Sequence, residues 1–222
     1  MRKAFSSQGE CFHPCIIPGV DNKISQEFSL EDPAGSALRV LRAIFLAPRD
    51  FFLNFSPQGR LKEPALFALA VGALAGIIGV LLVLIINLAG LEVRGARLGI
   101  AEIGVAGGIL LSAAFALVSP AVVAVGAGLY LLVLRTFVGD VADYRQLYRI
   151  FGYAYGPMVL ALIPVVGAFA FTYSTMVLMA IAIRSIYRTS FLTALITALV
   201  SFVPLALAAT LIVAVASGLV AG

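Results

Sequence analysis

The sequence predicts an all-α fold: a polytopic helical membrane protein of about five transmembrane helices, with an amphipathic helix on its cytoplasmic N-terminal side. Three observations predict it. Of 222 residues, 62% are hydrophobic and 12% charged, and the mean hydropathy is +1.08, whereas soluble domains run near 45–50% apolar and about 25% charged. Four stretches hold no Asp, Glu, Lys or Arg, at 65–91, 103–134, 150–183 and 189–222, and about 20 apolar residues suffice to cross ~30 Å of hydrocarbon. The charges are also unevenly placed. Residues 1–63 hold 8 Lys/Arg and 7 Asp/Glu, and residues 64–222 only 7 and 4. This composition excludes a water-soluble enzyme, a disordered chain and a nucleic-acid-binding domain. The formal charge of +4 then reads as a topology signal, not as a polyanion site.

Residues 1–33 mix Pro, Ser, Gln and scattered charges without periodicity and read as a flexible cytoplasmic tail. Met1-Arg2-Lys3 is followed by no apolar run, so the first span is expected to act as an uncleaved membrane signal. Cys11, His13 and Cys15 are spaced too tightly for a structural zinc site and have no fourth ligand nearby, so no metal and no cofactor is expected. Residues 34–62 form an amphipathic interfacial segment. Leu38, Leu41, Ile44 and Phe45 recur at helical spacing with Arg39 and Arg42 between them, before Pro48-Arg49-Asp50-Phe51-Phe52. Large apolar residues beside arginines suit a helix lying in the cytoplasmic interface, where Arg39, Arg42 and Arg49 are candidates to meet anionic headgroups, and equally a helix packed on the membrane domain as a lid; the two are compatible.

Residues 63–222 form the transmembrane domain, and charge placement sets its crossings. If 103–134 crosses once and 150–183 crosses twice, as a hairpin turning at Pro164-Val165-Val166-Gly167, 13 basic residues share one side and only Arg94 and Arg97 lie opposite. Two separate crossings at 98–118 and 120–138 would give 8 against 7. The five-span arrangement places the N-terminus inside and the C-terminus outside. It leaves surplus apolar residues at 98–117, open to three readings: an extension of a long helix kinked near Pro120, a re-entrant piece, or an interfacial helix. The reading adopted is a distinct short helix at 98–117 and a crossing at 119–138.

Chemistry-bearing groups are sparse. With its one His at position 13, the chain offers neither a His-Glu-x-x-His motif nor a Ser-His-Asp arrangement. Asp140 and Asp143 form one carboxylate couple at a membrane edge, a candidate binding pair. A solvated loop that caps the next helix and pairs with Arg145 accounts for them better than a metal does. Small residues are placed for close helix contact: Gly72 with Gly76, Gly104 with Gly108, and Gly152 with Gly156 are each spaced as GxxxG. Such faces serve packing within the chain, self-association or docking to a partner. The sequence is therefore expected to encode no enzyme.

Read in order, Phe45-Leu46-Ala47-Pro48-Arg49-Asp50-Phe51-Phe52, Leu61-Lys62-Glu63-Pro64, Phe137-Val138-Gly139-Asp140, the run from Tyr148 to Pro157, and Ile163-Pro164-Val165-Val166-Gly167 resemble the Yip1 family in its bacterial form, from about Phe45 to the C-terminus. The resemblance implies a five-span integral domain, with a cytoplasmic N-terminal segment, in the cytoplasmic (inner) membrane. It implies structural roles for Pro157, Pro164 and Gly167 in fixing the hairpin, and interface anchoring for Tyr153 and Tyr155. Eukaryotic members look like trafficking adaptors for Rab GTPases, for which the short head here offers little surface. The reading adopted is a non-enzymatic scaffold or accessory subunit whose partners are membrane lipids and other membrane subunits, or a second copy, and no nucleic acid. A scramblase- or channel-like lipid-handling protein and a trafficking adaptor are the alternatives.

Overall fold

The computed structural model describes residues 27–56, 59–88, 100–140 and 142–221. Cys11, His13 and Cys15, the tail before residue 27, and Arg94 and Arg97 lie outside the described residues. Helix α1 (Pro33–Leu46) begins where sequence chemistry dictates: the Asp32 carboxylate accepts from the Gly35 N–H at 2.9 Å, and Pro33 occupies the first turn. Its inward face is Ser36, Ala37, Val40 and Ile44, whereas Leu38 points outward. Pro48 forces a break at Ala47 and opens the short α2 (Pro48–Leu53), which buries Phe51 and Phe52.

The long elements are α3 (Lys62–Leu88), α4 (Ile100–Phe137) and α8 (Phe191–Ala221). Between the last two lies a hairpin. Its first arm is α5 (Tyr144–Ala154) followed by a 3-10 turn at Gly156–Leu160; its second is one rod made of α6 (Val166–Thr172), a π-helical stretch at Tyr173–Leu178 and α7 (Met179–Tyr187). No strand occurs among the described residues. Among the described residues, four helical segments are long and apolar enough to cross a membrane: Lys62–Ile85, Gly107–Phe137, Val166–Tyr187 and Phe191–Leu211. The first arm of the hairpin falls short of that length.

One sequence expectation is corrected. Residues 98–117 and 119–138 are not two elements; from Ile100 the chain is a single helix to Phe137 with Pro120 inside it. Pro120 has no N–H to donate to the Ala116 carbonyl one turn back, a loss that membrane helices tolerate where neighbouring elements support the backbone. Ser119 donates to the Phe115 carbonyl at 2.7 Å, and Ser112 to that of Gly108 at 2.7 Å. Packing on α3 supports the helix across the proline. A Cβ at Gly72 would overlap Ser119 and stand 2.9 Å from the Ala116 Cα, one at Gly76 would stand 2.7 Å from the Ser112 Cα, and Gly108 faces Val80. The two helices run antiparallel with their backbones in close approach, as small residues permit.

The same contacts give the depth of the hairpin. Gly152 rests on Pro64, while Leu162 near the turn rests on Gly79; from Pro64 to Gly79 helix α3 rises roughly 22 Å at about 1.5 Å per residue. At the tip Val165 adopts a positive φ of 66° and is exposed, and the ring of Pro164 precedes it. A β-branched residue rarely takes that conformation. Bonds from the Val166 N–H to Pro164 and from the Gly167 N–H to Ile163, both 2.7 Å, hold the turn. Gly167 lies against the Ala161 carbonyl, where a side chain has no room. The second arm returns to the starting end, where α7 packs on α2. Its π-helical stretch places Ser174 to donate to the Ala154 carbonyl at 2.7 Å, and the Thr175 carbonyl to accept the Tyr130 hydroxyl. The hairpin arms and α4 are thus tied by the bonded buried groups of Ser174, Tyr130 and Thr175.

Candidate functional site, an arginine caged beneath the N-terminal segment

At the head end of the bundle, α5 is amphipathic at its start and enclosed on nearly every side from Arg149 onward. It sits among α3, α4 and α7. Its Asp143 occupies the N-cap position in an extended conformation, with no side-chain capping bond. Arg149 is the largest fully buried side chain among the described residues, 1% exposed. An unpaired guanidinium at that depth is costly, so its partners define the site. Nη2 donates to Glu27 Oε2 at 2.6 Å and Nη1 to the Arg60 carbonyl at 3.3 Å, while Nε has no acceptor among the described residues. The guanidinium carbon lies 5.4 Å from the centroid of the Phe55 ring, within cation–π range.

Aromatic rings complete the cage. Tyr153 packs against Phe51, Phe55 and Phe67 at centroid distances of 5.8, 5.7 and 5.4 Å, and Phe28 meets Phe67 at 6.0 Å. Glu27 is a second junction, because its Oε1 accepts from the Ser56 N–H at 3.3 Å. Gly59 lies over the guanidinium, at a place where a Cβ would overlap Nη1. Three distant pieces of chain therefore meet at one charge: the segment entering α1, the loop from α2 to α3, and α5. The chemistry is that of a staple. Among the described residues no three His, Cys, Asp or Glu gather around one point.

The residues singled out from sequence fall elsewhere or take other roles. Arg39 pairs with Asp32 at 3.2 Å on the surface, while Arg42 and Arg49 are exposed and make no ion pair among the described residues. Asp140 pairs with Arg135 at 3.1 Å in place of the expected Arg145, because α4 delivers Arg135 one turn before the loop. Tyr153 and Tyr155, expected as interface anchors, are enclosed by protein. Tyr153 lines the cage, and the Tyr155 hydroxyl meets Ser119 Oγ at 3.2 Å. Gly152 receives Pro64, and Gly156 receives Leu41 and Ile44 from α1, so Pro157 begins its 3-10 turn directly beneath α1.

Arg149 itself was counted in the sequence only as one more cytoplasmic cation. A signal was present, since it stands between Tyr148 and Phe151 at the start of a charge-free stretch. Its partner was hidden, because Glu27 lies 122 positions upstream.

The family model of the Yip1 domain matches residues 42–215. No curated protein and no solved structure matches the chain.

Proposed function

Because this chain belongs to the Yip1 domain family, we propose that it is a non-enzymatic membrane scaffold or accessory subunit, which engages partners through the head-side surface built by α1 and α2. The integral membrane domain itself follows from the family and the four apolar helices. The observation that carries the rest is the staple. Glu27, Arg149 and the aromatic cage hold the N-terminal segment against the bundle, so a partner meets an ordered surface and its docking costs less conformational entropy. The glycine pairs support the same assignment by elimination. Gly72, Gly76, Gly152 and Gly156 are filled from within the chain, so a partner would use other groups, for which exposed Leu46, Leu53 and Arg49 on α1 and α2 are the candidates.

In this reading the head lies in the cytoplasm and the C-terminus outside, as the 13-to-2 distribution of basic residues supports. Cross-linking in native membranes followed by native mass spectrometry from mild detergent tests the proposal. The expected result is a second subunit, or a second copy, with cross-links that map to α1 and α2. A strictly monomeric protein with no cross-linked neighbour would overturn it.

A further inference from the structure

On the bundle's flank, away from the caged arginine, the two hairpin arms leave a groove of about 560 Å³, inside the roughly 300–1,000 Å³ usual for small-molecule sites. Pro157 and Leu160 line one wall, and Val166, Phe169, Tyr173 and Val177 the other. Phe45 of α1 closes the head end, its ring stacked on Tyr173 at 6.3 Å and 6°. Two polar side chains border the groove, and both are already bonded: the Thr172 hydroxyl donates to the Ala168 carbonyl at 2.9 Å and the Tyr173 hydroxyl to the Ile44 carbonyl at 3.4 Å. An occupant therefore finds no free side-chain donor on the walls, which favours hydrocarbon. The second wall belongs to a helix apolar enough to span the bilayer, Val166–Tyr187, so the medium that reaches the groove is lipid.

The head end supplies the opposite chemistry. Arg42 lies three residues before Phe45 on α1, hence on the same face; it is exposed and makes no ion pair among the described residues. We propose that the groove between the hairpin arms holds one acyl chain of an anionic phospholipid from the head-side leaflet, with its phosphate against Arg42. The arrangement is that of an amphiphile: an apolar slot running toward the hairpin tip, and one unpaired cation where the slot meets the interface. Phe45 stands between the two and sets where chain ends and headgroup begins.

Native mass spectrometry of the full chain, purified in mild detergent with added phosphatidylglycerol or phosphatidylcholine, tests this. The unaltered protein is expected to keep one phosphatidylglycerol. Val177→Trp and Val166→Trp, both at exposed groove positions, are expected to lose it by filling the slot, while Leu207→Trp on the exposed face of α8 keeps it. Arg42→Gln is expected to reduce the preference for phosphatidylglycerol about fivefold, the effect of about 1 kcal/mol from one interfacial cation. Thermal unfolding of each variant identifies any that fails to fold, and the remaining groove variant then decides. No retained lipid on the unaltered protein, or retention unchanged in a folded tryptophan variant, would overturn the groove. An unchanged preference in Arg42→Gln would overturn the role of the cation. None of these outcomes depends on whether a protein partner docks on α1 and α2.

Discussion

Arg149 shows how one side chain ties the fold together. Removing one partner of a buried pair strands a charge and costs about 3–5 kcal/mol, whereas replacing both by apolar groups is often near neutral. Arg149→Ala also empties the cage that Phe55 and Tyr153 build. It is therefore expected to destabilise by about 3 kcal/mol or more, and Glu27→Leu with Arg149→Met to recover most of the loss, read as unfolding midpoints in detergent. Equal losses in the single and double variants would show that packing volume, and not charge pairing, dominates. The glycines of α3 make a second prediction. Gly72→Val forces α3 from α4 at Ser119 and Ala116 and is expected to cost about 1–3 kcal/mol by overpacking. At Gly128 an added Cβ meets Tyr144 at an ordinary 3.9 Å, so Gly128→Ala is expected to leave the midpoint unchanged or higher. At this scale the sequence was only partly legible. GxxxG spacing located real close contacts, but spacing cannot say that both faces are used within one chain. A buried pair between residues 27 and 149 leaves no local pattern at all.

Among elements, legibility followed length and monotony. The apolar runs of α3, α8 and the hairpin's second arm exceed what a crossing needs, so their existence and rough ends were readable. Helix α4 was not, because Pro120 is a local stop signal that long-range packing on α3 overrides. Pro164 and Gly167 are turn-forming residue types, and turn bonds join Val166 to Pro164 and Gly167 to Ile163, whereas the π-helical stretch has no sequence signal beyond adjacent Ser174 and Thr175. The hairpin also carries a prediction of its own. Its tip carries no charged group, and Val165 and Phe169 stand exposed, so the tip is expected to lie in hydrocarbon. Val165→Cys, with Cys11 and Cys15 replaced, is expected to resist a membrane-impermeant maleimide from both sides, while Asp140→Cys reacts from one. Rapid labelling of Val165→Cys from the side opposite Asp140 would mean that the hairpin emerges into water.

For the whole molecule, the uneven charge becomes a shape. The last turn of α4 carries Arg135 and the loop after it Asp140, α5 brings Arg149 beneath Glu27, and α7, which carries Arg184, packs on α2. The hairpin's there-and-back path thus returns its cations to the end where the N-terminal segment docks. The sequence reads that segment as a loose tail to residue 33 and then a helix that lies in the interface or lids the membrane domain. Residues 27–56 contribute Phe28, Ile44, Phe51, Phe52 and Phe55 to the same buried core as α3 and α5. Spin labels at exposed Leu46 on α1 and exposed Leu132 on α4 test this most directly, by pulsed distance measurement in nanodiscs. A single narrow distribution that broadens in Arg149→Ala is the predicted result. A broad distribution in the unaltered protein would contradict a head stapled to the membrane domain.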